Sequence, residues 1–438
     1  MQIQNRLFDL RRSGPHTRRI ASFLGLFAAL IVPVHAQQPL TLNDADARGA
    51  NIFAQSGETG MVMVVVRNHE VLVRGYGETF PGSHVKPDAD SLLRLCSISK
   101  IFTGDLLVRL AAEGKVGLND PLQRYAPKGK LVPTSADGSK ITLLDLATHT
   151  AGLTREVSSY PRHTPHFVFP DYAFRWTWLP TQKITDPPGS VAVYSNIGFD
   201  LLGDALGAGA HESYTHMLAE RIIEPLGLHN TTVWPNPLQC ARLLRGSGDE
   251  GPCTSTEQSV ASGGVYSSGA DMARMMASLM HVDGIPQQPT EALAVYVQPT
   301  QLKRMDGLSH AGDPTGIGLG WVQLGDPTNV STVVQKTGGG AGFWTYIALV
   351  PKRQTGVFFA MTDGTGKSTI DFYDEANHLL TDMAGVPQLP PRKHFVHASR
   401  KRVTSKGGAS KGATAKGATS KGTTRKATRK RRTVPAAH

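Results

Sequence analysis

Apolar and polar positions follow strand-like patterns near both ends of the central part of the chain. Near its start, two apolar stretches, residues 61–67 and 71–76, are separated by a short polar turn. This arrangement is typical of a β-hairpin. Near its end, three further strand-like runs, residues 332–337, 343–350 and 357–362, are separated by a glycine cluster and by a polar turn. The pattern therefore predicts strands at both ends of one domain.

Between these strands lie about 250 residues in which helical periodicity and Pro/Gly punctuation dominate. Residues 369–383 then have the spacing of an amphipathic helix. Strands at both ends with helices between them predict an α/β fold of the α+β type. We expect an antiparallel sheet built from both ends of the domain, flanked by helices, with an inserted, mainly helical lobe. Ligands usually bind in clefts between such lobes.

The net charge of +11 over 438 residues is distributed unevenly. Residues 391–438 carry fifteen Lys or Arg and no carboxylate, and residues 1–36 carry five Arg and one Asp. The remaining body, residues 37–390, has 26 basic and 34 acidic residues. Since the basic character belongs to the chain ends, it does not indicate a nucleic-acid-binding body, and we expect no specific nucleic-acid partner.

Residues 1–36 have the pattern of a secretory signal peptide. Arg18 and Arg19 precede an apolar run over residues 20–32, and small residues lead to a predicted cleavage after Ala36. A membrane anchor would need about 20 apolar residues, and this run is shorter. We therefore expect export to the periplasm. The mature body, residues 37–390, is longer than one core usually supports, which agrees with two lobes.

The tail, residues 391–438, lacks the apolar residues that would build a core. Lysines recur here every five residues, a spacing that matches neither a helix face nor a strand face. They are Lys406, Lys411, Lys416, Lys421 and Lys426. The sequence predicts a disordered basic segment rich in Lys, Gly, Ala and Thr. It either has no defined partner or binds anionic envelope polymers or the membrane surface through its charge.

Three cysteines would reach an oxidising compartment after export. Cys240 and Cys253 bracket a polar loop and are the natural disulfide pair, although two unpaired thiols are the alternative. Cys96 is then left as a single thiol.

Ser97 and Lys100 open a helix-like run and are spaced so that both face the same way. A helix start favours developing negative charge, which suits a nucleophile. The spacing Ser-x-x-Lys also arises by chance, and residues 83–86 repeat it. Prolines flank that second copy and no helix begins there, so we interpret it as the chance occurrence.

Two further motifs are ambiguous when each is considered alone. Tyr194 and Asn196 precede a helix-like run, where Asn196 could be only an N-cap and Tyr194 a core aromatic. Lys336, Thr337 and Gly338 end a strand, where the lysine could simply protect a sheet edge.

Other patterns do not indicate a second kind of site. His163 and His166 have no carboxylate or cysteine at a ligand spacing, so the sequence predicts no metal site and no cofactor. The glycine clusters do not open a helix after a strand, as a dinucleotide site requires. Residues 307–311 imitate a nucleophile elbow, but no strand leads into them.

Taken together, Ser97-x-x-Lys100, Tyr194-x-Asn196 and Lys336-Thr337-Gly338 resemble the three motifs of the serine penicillin-recognising family. The resemblance covers nearly all of residues 37–390. Stretches that look like class C β-lactamases and their relatives are residues 149–153, 263–267 and 318–321. Residues 336–342, the Asp120-Pro121 turn and the cysteine pair most resemble the AmpH-type D-alanyl-D-alanine carboxypeptidase/endopeptidases. The tail departs from that pattern.

The resemblance implies roles for the motif residues. Ser97 would be the acylated nucleophile, with Lys100 or Tyr194 as the base, a choice that the sequence leaves open. Asn196 would bind the substrate amide, and Lys336, Thr337 and Gly338 the substrate's terminal carboxylate. The oxyanion hole would be the backbone N–H groups of Ser97 and Gly339. Cys96 would be a small packing residue.

The implied function is that of an exported serine DD-carboxypeptidase/endopeptidase. Its partners would be peptidoglycan stem peptides, with β-lactams as covalent ligands. A class C-like β-lactamase or an esterase is the alternative, because a stem peptide, a β-lactam and an ester all present a carbonyl to the same groups. A cationic envelope protein that only binds muropeptides is the non-enzymatic alternative, and the four intact residues Ser97, Lys100, Tyr194 and Lys336 argue against it.

Overall fold

A computed structural model describes residues 40–157, 169–248 and 251–390. The expected signal peptide, the basic tail and the His163/His166 pair lie outside these described residues. Within the described ranges, no helix combines the length and the apolar character needed to cross a membrane.

The secondary structure agrees with the predicted order of strands, helices and strands. The helices are α1 Leu42–Ser56, α2 Ser99–Ala112, α3 Leu143–Ala147, α4 Tyr172–Trp178, α5 Asn196–Ala210, α6 Tyr214–Leu218, α7 Glu224–Leu226, α8 Pro237–Cys240, α9 Gly269–Leu279 and α10 Phe372–Ala384. The strands are β1 Gly60–Arg67, β2 Glu70–Gly77, β3 Leu92–Arg94, β4 Ala192–Val193, β5 Tyr266–Ser268, β6 Met305–Asp306, β7 Pro314–Ile317, β8 Val322–Leu324, β9 Val333–Gly340, β10 Phe343–Val350 and β11 Thr355–Thr362.

One seven-stranded antiparallel sheet organises the domain, with the strand order β2-β1-β11-β10-β9-β8-β7. The first strand of the hairpin, β1, pairs with β11, the last strand of the described residues, so that Gly60 lies opposite Thr362. Both ends of the domain therefore build the sheet, and the mainly helical lobe is inserted between β2 and β7. The predicted fold class is confirmed.

The sheet differs from the prediction at its far edge. The strands β7 and β8 were not predicted, because each is short and glycines interrupt the segment between them. Strand β9 extends three residues beyond Thr337, since Gly338–Gly340 still pair with β10. A long amino-terminal helix, α1, was also not predicted. Its start is fixed by a capping box between Thr41 and Asp44.

Helices cover both faces of the sheet, so strand β1, the second strand from one edge, is buried along all but its last residue. Met61, Met63 and Val65 join the core that contains residues of α1 and α10. Val62 and Val64 face the other way, into the core shared with the helical lobe. This burial on both faces explains why β1 is a continuous apolar run and does not alternate with polar residues.

Helix α2 is the central helix of the lobe and is buried over most of its length. Its Gly104 lies against Leu319, whose carbonyl oxygen would be 2.3 Å from a Cβ at that position. The glycine therefore allows close packing between α2 and the turn before β8. This contact fixes the helix that follows Ser97.

A disulfide joins Cys240 and Cys253, with the Cα atoms 5.8 Å apart. The predicted pairing is confirmed, and Cys96 is a buried free thiol. The carbonyl groups of Gly251 and Pro252 accept hydrogen bonds of 3.0 Å from the guanidinium of Arg94, at the end of β3. The disulfide loop is thus held against the strand that leads to Ser97.

Replacing both bridging cysteines, Cys240→Ser with Cys253→Ser, should lower the free energy of unfolding by about 3 kcal/mol. The physical reason is the restored freedom of a short loop in the unfolded chain. Urea unfolding of the oxidised protein and of the double variant measures the difference. Reduced wild-type protein is the control and should match the variant. Equal midpoints for oxidised wild type and variant would contradict the expectation.

Candidate active site

Ser97 lies in a single 3-10 turn, Cys96–Ile98, that leads directly into α2. The preceding residue, Cys96, has a left-handed backbone with a φ of 51°, which is uncommon for a residue other than glycine. Two hydrogen bonds hold this bend. The Leu95 N–H donates to Val265 O, and the Val265 N–H donates to the side-chain oxygen Ser99 Oγ. The bend places Ser97 at the surface of a pocket.

Lys100 is fully buried one helical turn after Ser97. Its Nζ donates to Ser97 Oγ at 3.3 Å, to Asn196 Oδ1 at 2.6 Å and to Ser262 O at 2.6 Å. An ammonium group has three N–H donors, and here each has an acceptor. The geometry around Lys100 therefore suits its positively charged form.

Tyr194 is the second polar neighbour of the serine, with its Oη 2.6 Å from Ser97 Oγ. The Nζ atoms of Lys100 and Lys336 each lie 4.9 Å from the centre of its ring. Burial by itself raises the pKa of Tyr194. The two ammonium groups and the hydrogen bond with Ser97 outweigh burial and lower this pKa to about 7.

Lys336 is in β9 with only 3% of its surface exposed. Burial is the main reason that its pKa is lowered to about 8, although the neighbouring Tyr194 opposes the shift. Its Nζ donates to Thr337 O at 3.0 Å. The side chain of Lys336 thus lies beneath the pocket surface, whereas Thr337 is half-buried and lines the pocket.

Gly338 brings β9 into direct contact with the turn that carries Ser97. A Cβ at this position would lie 2.2 Å from Thr345 Oγ1 and 2.8 Å from Leu95 O. The Thr345 hydroxyl also donates to Leu95 O at 2.9 Å. Only glycine fits at this contact, which joins the sheet to the turn that carries Ser97.

A pocket of about 250 Å³ brings together most of the residues predicted from the sequence. Its lining residues are Ser97, Arg155, Tyr194, Gly307, His310, Thr337, Gly338, Gly339, Trp344 and Tyr373. Lys100 and Lys336 are buried beneath these lining residues. Asn196 is the first residue of α5, and Ser195 caps that helix by accepting a hydrogen bond from the Gly198 N–H. Asn196 is therefore not the N-cap that was considered from the sequence.

The sequence interpretation missed two charged residues beside Asn196. Arg155 lines the pocket, with its guanidinium carbon 4.7 Å from the centre of the Tyr194 ring. Glu156 Oε1 accepts a hydrogen bond of 2.5 Å from Asn196 Nδ2. Both residues follow directly after the stretch 149–153 that resembles class C β-lactamases, and this proximity was the available signal.

His149 supports Tyr194 from behind the pocket. Its ring centre lies 4.5 Å from that of Tyr194, and its Nδ1 accepts a hydrogen bond of 3.1 Å from the Ser195 N–H. Burial, followed by the nearby positive charges, holds the pKa of His149 well below its usual range. The neutral imidazole thus adds no further charge to a group of cations.

Two other sequence interpretations concern side chains close to the site. Burial raises the pKa of the Cys96 thiol to about 12, so the thiol stays protonated, as expected of a packing residue. Ser83 lies in a loop where its hydroxyl bonds with Thr79, and no helix begins there. The nucleophile elbow at residues 307–311 was rejected because no strand was expected to lead into it. That expectation was wrong, since the short strand β6 ends directly before Gly307, and Gly307 and His310 line the pocket.

The chain belongs to the Beta-lactamase family, whose model matches residues 46–382. It is a serine hydrolase of that family. Over 367 residues it is 40% identical to the D-alanyl-D-alanine-carboxypeptidase/endopeptidase AmpH of Escherichia coli, covering 82% of this chain and 95% of the relative.

Solved structures show the same fold. The Beta-lactamase/D-alanine Carboxypeptidase from Yersinia pestis, in complex with citrate, superimposes with a TM-score of 0.74 at 40% identity. The match covers 78% of this chain and 97% of that one. A Beta-Lactamase/D-Alanine Carboxypeptidase from Pseudomonas syringae gives a TM-score of 0.63 at 19% identity, covering 78% and 98% of the two chains.

Substitution Gly338→Ala should lower the rate of hydrolysis at least about 100-fold, because the new methyl group must push β9 away from Leu95. Stopped-flow measurement with a chromogenic cephalosporin reports this rate. Gly263→Ala is the matched control, since the nearest atom to its new Cβ is a Cys96 backbone atom at 3.9 Å. Similar rates for both variants would show that the contact at Gly338 is not required.

Proposed function

We propose that the protein is a DD-carboxypeptidase/endopeptidase that hydrolyses D-alanyl-D-alanine peptides through an acyl-enzyme on Ser97. The observation that carries the proposal is the Tyr194 hydroxyl, 2.6 Å from Ser97 Oγ and close to two buried ammonium groups. A serine hydroxyl is a weak nucleophile at neutral pH, and a neighbouring base of suitable pKa activates it.

Tyr194 is the acylating base in this mechanism. With a pKa of about 7, a substantial fraction of Tyr194 is phenolate near neutral pH and can take the proton from Ser97 Oγ. Lys100 already donates to three acceptors, so it serves as a fixed positive charge. Its charge stabilises the phenolate and the developing negative charge on the serine oxygen.

Acylation proceeds by attack of Ser97 Oγ on the carbonyl carbon of the penultimate D-alanine. The backbone N–H groups of Ser97 and Gly339 stabilise the oxyanion, and Tyr194 returns its proton to the departing amine. Asn196 binds the amide of the acyl part, while Thr337 and Lys336 attract the terminal carboxylate. Water activated by Tyr194 then hydrolyses the ester on Ser97.

The substrate class rests on the relatives and on the expected export. The relatives from Escherichia coli and Yersinia pestis are named as carboxypeptidases, and each is 40% identical to this chain over most of its length. An export signal in residues 1–36 would carry the enzyme to peptidoglycan. Hydrolysis of β-lactams is the second candidate, since the family model describes β-lactamases and the same groups would open a strained lactam.

A labelled penicillin should attach covalently to the protein, and Ser97→Ala should abolish the label because the acyl acceptor is gone. Mass spectrometry of the intact protein and of its peptides identifies the modified residue. Ser83→Ala is the control, since it removes the serine of the second Ser-x-x-Lys sequence and should leave labelling unchanged. Full labelling of Ser97→Ala would refute the assignment.

The pH dependence of acylation should be bell-shaped. The rate rises around pH 7 as Tyr194 loses its proton, and it falls above about pH 8 as Lys336 loses its charge. A peptide substrate with a terminal carboxylate, followed from pH 5 to 10 by kcat/KM, reports both limbs, because this carboxylate stays ionised over the whole range.

In the same assay, Tyr194→Phe should lower kcat/KM by roughly 10²–10⁴-fold and remove the acidic limb. Tyr214→Phe is the matched control, because the hydroxyl of Tyr214 bonds with Thr103 and lies outside the pocket lining. An unchanged acidic limb in Tyr194→Phe would exclude Tyr194 as the base.

A further inference from the structure

Asp200 is a buried carboxylic acid in α5, one helical turn after Asn196. Residues one turn apart share a helix face, so Asp200 lies on the same side of α5 as the Asn196 side chain, which accepts a hydrogen bond from Lys100. Only 5% of the surface of Asp200 is exposed, and its Oδ1 has no hydrogen-bond partner among the described residues. Burial of such a group is costly without a compensating positive charge, yet the acylation steps do not use Asp200.

Ser262 connects Asp200 to Lys100. Its side chain donates a hydrogen bond to the Asp200 carboxyl group, and its backbone oxygen accepts one of 2.6 Å from Lys100 Nζ. Tyr194 takes part in neither hydrogen bond. Asp200 is therefore placed at the lysine end of the Lys100 and Tyr194 pair.

The charged groups around Asp200 keep it ionised near neutral pH. Burial raises its pKa to about 6, and the positive charges of Arg175 and Lys100 prevent a larger rise. Asp204, one turn further along α5, acts in the opposite direction, but its own charge is compensated by Arg175 at 2.6 Å. Tyr214 of α6 adds no charge, because burial raises its pKa. Asp200 is thus a negative charge at pH 7 and above.

Lys100 and Tyr194 hold one proton between them near neutral pH. An ammonium group with a phenolate has the same net charge as an amine with a phenol, and one proton moving from Nζ to Oη converts the first into the second. Lys336 favours the phenolate, since its Nζ lies 4.9 Å from the centre of the tyrosine ring. His149 and Cys96 add no charge, because burial keeps the imidazole neutral and the thiol protonated. The position of the proton therefore depends on the remaining charges around the pair.

Arg155 and Glu156 are further charges near the pair. The Arg155 guanidinium carbon is 4.7 Å from the centre of the Tyr194 ring, and Glu156 accepts a hydrogen bond from the Asn196 side chain. Both residues are exposed, so water and salt screen their charges. The carboxylate of Asp200 is withdrawn from water, so its charge acts with much less screening.

We propose that Asp200 is a positioning residue whose negative charge holds the shared proton on Lys100 and so leaves Tyr194 as the phenolate. This role rests on the proposed function of Tyr194 as the acylating base. When position 200 is neutral, the buried ammonium group loses its compensating charge, and the proton moves from Lys100 Nζ to Tyr194 Oη. The resulting phenol cannot accept the proton of Ser97. Asp200 thus decides which of the two candidate bases activates the nucleophile.

Ultraviolet difference spectra of the full-length protein test this role, because a phenolate and a phenol absorb differently. At pH 7.5, the spectrum of the wild type minus that of Tyr194→Phe isolates the signal of Tyr194. The same subtraction is made in the Asp200→Asn background. Loss of a neighbouring opposite charge typically changes a proton equilibrium by about tenfold or more. We expect the phenolate signal in Asp200→Asn to fall below about half of the wild-type signal.

The kinetic readout is the acidic limb of kcat/KM for a D-alanyl-D-alanine peptide. In Asp200→Asn this limb should move to higher pH by about one unit, because Tyr194 loses the ammonium charge of Lys100 that lowers its pKa. A purely structural disturbance lowers the rate and leaves the limb in place. If Lys100 instead kept its proton, the loss of a negative charge would move the limb to lower pH.

Asp204→Asn is the matched control, because it makes the same chemical change one helical turn further along α5. Asp204 pairs with Arg175 and accepts a hydrogen bond of 3.0 Å from the ring nitrogen of Trp176. The control should retain the phenolate signal and the position of the acidic limb. Asp200→Ser is a second neutral replacement and takes the place of Asp200→Asn if circular dichroism shows that the latter does not fold.

The outcomes separate this role from the proposed function. A phenolate signal that persists undiminished in Asp200→Asn overturns the role of Asp200, as does an equal loss in Asp204→Asn, and in both cases Tyr194 remains the base. If the wild type itself shows no phenolate signal, Tyr194 fails as the base and the role of Asp200 fails with it. Release of D-alanine from the peptide by the wild type tests the substrate class independently.

Discussion

The close contact between β9 and the turn that carries Ser97 is the constraint on which the site depends. Gly338 has no side chain, so the strand can approach Leu95, and the Thr345 hydroxyl bonds to the same carbonyl oxygen. This contact brings Ser97, which precedes the central helix of the lobe, into one pocket with Thr337 and Gly339 of the sheet. The lobes therefore share a site because one position has no Cβ atom.

The electrostatic character of the site follows from burial. Lys100 and Lys336 are withdrawn from water, and Arg155 adds a third positive charge beside the same tyrosine ring. A phenolate at Tyr194 is the natural counter-charge, since separated buried cations are unfavourable without one. His149 contributes to this balance by remaining neutral. The group that can act as a base is thus also the group that makes the assembly of cations tolerable.

Sequence patterns predicted much of this arrangement, and the limits of the prediction have physical causes. Local periodicity predicted the hairpin and the three late strands. The recognisable combination of three motifs predicted the site residues Ser97, Tyr194 and Lys336. The strands β7 and β8 are short and glycine-rich, and local pattern does not reveal them. The sequence left open whether Lys100 or Tyr194 is the base, because the pKa of Tyr194 depends on side chains brought together only by folding.

The pairing of β1 with β11 has a consequence for how the enzyme acquires its activity. Strand β1 pairs with β2, which follows it in sequence, but its second neighbour is β11, with Gly60 opposite Thr362. Closing so long a loop is slow, and the sheet lacks its centre until the final strands are present. In a chain that becomes available to fold from its amino-terminal end onwards, Ser97 is therefore present long before β9, which completes the pocket. Hydrolytic activity therefore begins only when nearly the whole domain is available to fold.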